Sequence, residues 1–108
     1  MARAATRFYG PALVTNSAAT KYTVPSVSLA VVRHIHVSNP TGSAATLTLS
    51  IGSDAAGTRL FDAYSIAAGT VLDHFCYYPV VAAEIIQGLS GTNNVLTLTI
   101  SGDLITLG

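Results

Sequence analysis

The chain has 108 residues, 50% of them apolar, and its 5 Lys and Arg balance 5 Asp and Glu, so that only 9% of positions are charged. That length holds one core and not two, and the charge content lies far below the roughly one quarter usual in a folded domain. A surface so poor in charge implies burial against copies of the chain or other partners. The basic residues Arg3, Arg7, Lys21, Arg33 and Arg59 are scattered along the chain, so no nucleic acid partner is expected.

Residues 1–8, Met-Ala-Arg-Ala-Ala-Thr-Arg-Phe, carry charge with no apolar stretch behind it. They are read as an N-terminal arm rather than a secretory signal, with a single domain over 9–108. Arg3, Arg7 and Phe8 are candidate contacts to a neighbouring subunit, two cations and an aromatic anchor ahead of the periodic region. No apolar run approaches the about 18 residues of a membrane span, and no membrane partner is expected. Cys76 is the only cysteine, so an intrachain disulfide is excluded and the expected setting is a cytoplasm.

From Tyr9 onward, turn signals come at short intervals: Tyr9-Gly10-Pro11, Pro25-Ser26, Asn39-Pro40-Thr41-Gly42, Gly52-Ser53-Asp54, Ala68-Gly69, Ser90-Gly91-Thr92-Asn93-Asn94 and Ser101-Gly102-Asp103. The segments between them predict strands near 20–24, 28–38, 44–51, 58–66, 70–78, 83–89, 94–101 and 104–107. About eight short strands so spaced predict an all-β fold, a single antiparallel β-sandwich or jelly roll.

Within 28–38, strict alternation puts Leu29, Val31, Arg33, Ile35 and Val37 on a core face. It puts Ala30, Val32, His34, His36 and Ser38 on the other. His34 and His36 then project together away from the core. With His74 as a third imidazole they form the candidate metal set, with Asp73 and Cys76 near His74. The spacing matches no His-Glu-x-x-His or Cys-x-x-Cys pattern. The favoured reading is therefore packing and hydrogen bonding at a subunit contact, with no metal and no cofactor.

Over 44–51, Leu47, Leu49 and Ile51 alternate with Thr46, Thr48 and Ser50 and are assigned to the core. Asp54 and Asp62 flank Arg59, which favours an ion pair over an acid–base pair or a calcium loop. Tyr77 and Tyr78, before Pro79, suit either an interface or a sugar platform. Cys76 is read as a buried small hydrophobe. A helix over 82–89 competes with a strand at Glu84-Ile85-Ile86-Gln87. In 94–101, Leu96, Leu98 and Ile100 alternate with Thr97, Thr99 and Ser101, again placing the leucines and isoleucine in the core. No Gly-x-Ser-x-Gly elbow, Gly-x-Gly-x-x-Gly or P-loop occurs, so no catalytic residue is assigned and no enzyme activity is expected.

Several stretches carry a family resemblance: Tyr22-Thr23-Val24-Pro25, then Val31-Val32-Arg33-His34-Ile35-His36-Val37-Ser38-Asn39, then Leu49-Ser50-Ile51-Gly52 leading to Asp54-Ala55-Ala56-Gly57-Thr58-Arg59-Leu60-Phe61-Asp62, and a closing Leu98-Thr99-Ile100-Ser101-Gly102. From Tyr9 to Gly102 the chain resembles small virion proteins of tailed bacteriophages, minor tail or head-associated. It departs from their pattern at Ala82-Ala83-Glu84, where an Ala-Gly-Glu turn is usual. The resemblance implies a non-enzymatic virion subunit assembled in the host cytoplasm and attached to the tail or tail tip, with capsid decoration as the alternative. Its partners would be other virion proteins and copies of itself, as a trimer or hexamer. A carbohydrate-binding module for host-surface glycans is the reading from another class. The residues selected for an interface are Arg3, Arg7, Phe8, His34, His36, Tyr77 and Tyr78.

Overall fold

A computed structural model describes residues 2–107. It is all-β, with strands β1 (Ala2–Leu13), β2 (Ala19–Thr23), β3 (Ser28–Asn39), β4 (Ala45–Ile51), β5 (Arg59–Ile66), β6 (Thr70–Val81), β7 (Ile85–Ser90) and β8 (Thr97–Thr106). One sheet has the order β1-β8-β3-β6 and the other β2-β7-β4-β5. Every pairing is antiparallel. The chain crosses between the sheets at each connection except the β4–β5 hairpin, which is the wrapping of a jelly roll.

The alternating segments supply the core. Leu47, Leu49, Leu96, Leu98 and Ile100 are buried beside Ile35, Val37 and Ile86, and Ile51 packs at the margin. Each fully buried Leu or Ile contributes about 1.5–3 kcal/mol relative to exposure. Thr46, Thr97 and Thr99 are half-buried on the opposite faces. Thr48 is buried, and its hydroxyl accepts a hydrogen bond from the Ala63 backbone N–H at 3.0 Å, inside an irregularity of the β4–β5 ladder. The 82–89 segment holds no helix: it begins with a turn that has Ala83 at φ 68° and continues as β7 from Ile85.

The chain's ends differ from the sequence expectation. Residues 2–8 belong to β1, which pairs with β8 from Ala2↔Thr106 to Arg7↔Ser101. Ala2 to Ala5 are exposed throughout. Both faces are open there, so no apolar alternation announces the strand, and pairing to β8 defines it. Phe8 lies in the core against Tyr22, with ring centroids 4.8 Å apart, and not on the surface as an anchor. The strands expected over 94–101 and 104–107 are parts of one strand, Thr97–Thr106, so Ser101-Gly102-Asp103 is not a turn. Tyr9-Gly10-Pro11 likewise lies inside β1, at a ladder irregularity.

Candidate functional site

A bulge at Arg33 decides which side chains of β3 reach the outer face of the first sheet. Val32 pairs with Gly102 and His34 with Ser101, so Arg33 is an extra residue against β8. The alternation therefore changes phase. Ala30 and Val32 enter the core before the bulge, and Ile35 and Val37 after it. Leu29 is half-buried, and Val31 is fully buried as expected but outside the main core cluster, so the single-face reading holds only in part. His34 and His36 do lie on the face opposite Ile35 and Val37, half-buried, with ring centroids 6.1 Å apart.

The bulge also sets the register toward β6, where His36 pairs with Asp73 and His34 with Phe75. Asp73 Oδ1 accepts hydrogen bonds from both rings, from His34 Nε2 at 2.9 Å and from His36 Nδ1 at 2.6 Å. These bonds, the one from His36 foremost, hold the Asp73 carboxyl below its ordinary 3.8, against a smaller opposing effect of desolvation. Phe75 stacks on the His34 ring at 4.4 Å and 5° between planes, which fixes the ring's orientation. One ligand atom from each of His34, His36 and Asp73 lies within 4.8 Å of the others.

His74 is not part of this group. It pairs with Ile35 and points to the other side of β6, between Phe61 and Tyr78, with Nε2 3.1 Å from the Tyr78 hydroxyl. Strand alternation thus replaces His74 by its neighbour Asp73. The same alternation separates Tyr77, exposed on the outer face, from Tyr78, which packs against the core. The two tyrosines cannot form one sugar platform. Cys76 packs against the core with Sγ 3.5 Å from the Val32 carbonyl oxygen, and burial raises its thiol pKa.

Three of the scattered basic residues converge on the outer face. Arg3 and Arg33 both reach Asp103 Oδ2, at 2.9 and 3.4 Å. Arg7 joins Arg33 and Asp103 around an open depression of about 530 Å³. Arg33 also lies over the Tyr77 ring, 5.7 Å from its centroid. Of the residues selected from sequence for an interface, Arg3, Arg7, His34, His36 and Tyr77 share this face, and Phe8 and Tyr78 turn inward. Elsewhere, Arg59 forms the expected ion pair, bonding Asp54 at 2.9 and 3.3 Å and Asp62 at 3.0 Å.

Sequence reasoning missed Phe75 altogether and assigned Asp73 to the wrong histidine. The alternation of 70–78 carries the signal for both, since Val71, Asp73, Phe75 and Tyr77 share one parity. No protein-family model, curated protein or solved structure matches the chain.

Proposed function

We propose that the chain is a structural subunit that assembles with copies of itself in a tailed-bacteriophage virion. Its place is the tail or tail tip, with capsid decoration as the alternative. The observation that carries self-assembly is the outer face of β6. Val71, Phe75, Tyr77 and Val81 stand there 58%, 75%, 64% and 54% exposed. They line one face of a 12-residue strand at the edge of its sheet, an apolar row broken by Asp73. A long apolar edge strand is a template for pairing with another chain, and a stripe of this kind marks an interaction surface. The scarcity of charge points the same way. The virion setting is supported by the pattern resemblance between Tyr9 and Gly102, and by a fold type that viral capsid domains use, which is analogy of fold alone.

Light scattering on the purified chain tests assembly. A trimer or hexamer is expected, reduced to single chains by Tyr77→Lys combined with Val71→Lys. A single-chain mass for the wild type at micromolar concentration would sink the proposal. Immunogold labelling of particles that encode the sequence tests location. Label on tails supports the tail reading, label on heads the decoration reading, and absence from purified particles removes the virion setting.

A further inference from the structure

We propose that His34, His36 and Asp73 form a binding site for one divalent first-row transition-metal ion, with zinc the type ion, on the outer face of the first sheet. This inference does not depend on the assembly reading. Two imidazoles and one carboxylate are the donors such ions take. Calcium and magnesium, which seek all-oxygen shells, are poorly served by two rings and one acid.

The three groups are positioned by separate features of the backbone. His34 and His36 are two residues apart on one face of β3, and Asp73 is directly across from His36 in the ladder. The ligand atoms already converge, with Asp73 Oδ1 2.9 and 2.6 Å from the two ring nitrogens. A tetrahedral ion with bonds of about 2.0–2.2 Å needs its ligand atoms roughly 3.3 Å apart. The two Asp73 separations therefore open by about 0.4 and 0.7 Å, and the two ring nitrogens, within 4.8 Å of each other, draw in toward the same spacing. The ion takes the place of the two shared protons, and each neutral ring keeps one N–H on its other nitrogen. These side chains are 30–42% exposed and free to make that adjustment. Phe75 holds the His34 ring plane while its Nε2 faces the centre. The remaining coordination position is left to water, because Asp73 is exposed and the two rings are only half-buried.

The test uses the full chain stripped with chelator, then dialysed against micromolar Zn²⁺, with Co²⁺ as a spectroscopic probe. About one zinc per chain is expected, with the visible Co²⁺ bands of a four- or five-coordinate site. His34→Gln, His36→Gln and Asp73→Asn should each weaken binding at least about tenfold, and His74→Gln should leave it unchanged. Folding of each variant is checked by far-UV circular dichroism. In the wild type, zinc should shift the ring resonances of His34 and His36 but not those of His74, a readout that needs no variant. Substoichiometric zinc at about 100 μM, binding that survives the His34→Gln/His36→Gln pair, or a ring shift confined to His74 would each overturn the site.

Discussion

The carbonyl oxygen of Val31 occupies the space that a side chain at Gly102 would need. A Cβ at Gly102 would collide with that oxygen and lie 2.9 Å from the Arg33 backbone nitrogen. The glycine is therefore what lets β8 run against the bulge of β3, and the bulge puts Ala30 and Val32 on the same core side as Ile35 and Val37, opposite His34 and His36. Gly102→Ala should force the two strands apart and destabilise the fold by about 1–3 kcal/mol. Denaturant unfolding measures the cost. A change in the proximity of His34 and His36 to Asp73, seen by NMR, would show that the phase shift depends on this contact.

Truncation should discriminate sharply between the faces of β8. Leu98 is fully buried, whereas Thr99 stands half-buried on the face of His36. Leu98→Ala should cost about 2–5 kcal/mol. Thr99→Ala should stay within about 0.5–1 kcal/mol. Equal costs in thermal or chemical unfolding would contradict the observed register.

The sequence reading was strongest where apolar and polar residues alternate strictly, even in β4, where Thr48 and Ser50 are buried as well. In Thr46–Ile51 and Leu96–Ser101 the period of two is visible, and Leu47, Leu49, Leu96, Leu98 and Ile100 are where alternation puts them. It failed where backbone geometry breaks the period. The bulge at Arg33 inverts the facing of everything N-terminal to it in β3, and Gly102 resembles a turn residue until its partner strand is known. β1 was invisible because the first part of that strand buries nothing on either side. The histidines were found by composition and correctly turned outward. Their carboxylate partner lies 37 and 39 residues away, and only the β3–β6 pairing brings it in.

Asn39 is a buried polar residue whose amide is fully engaged. Its Nδ2 donates to the carbonyl oxygens of Ser43 at 2.9 Å and Ile66 at 3.0 Å. Its Oδ1 accepts from the Thr41 backbone N–H at 3.1 Å and from the Thr41 hydroxyl at 2.6 Å. These bonds fasten the β3–β4 turn to the end of β5. Asn39→Ala removes these four bonds, leaving the Thr41 hydroxyl its bond to the Ser43 carbonyl oxygen at 3.0 Å, and should cost about 2 kcal/mol. Asn39→Asp should cost more, because a buried carboxylate would face the two carbonyl oxygens that the amide now serves. Unfolding curves for the two variants at neutral pH decide the order.

Arg59 holds Asp54 through two hydrogen bonds, at 2.9 and 3.3 Å. Hydrogen bonding by the guanidinium is the main cause that places the Asp54 carboxyl below its ordinary 3.8, with desolvation opposing and the Arg59 charge adding to the lowering. The folded chain therefore binds this proton at lower pH than the unfolded chain does. The stability contributed by the pair is fully present above the unfolded carboxyl value, about 3.9. It is lost as pH falls through the lower folded value. Arg59 remains charged throughout, so nothing is lost at higher pH through the range of the test. The stability difference between wild type and Asp54→Asn should accordingly be constant from neutral pH down to about pH 5 and shrink below about pH 4. Guanidinium chloride would screen the pair, so urea unfolding at low ionic strength is the measurement. A difference that stays constant down to pH 2, or widens in acid, would mean that the Arg59 contact does not hold the carboxylate in solution.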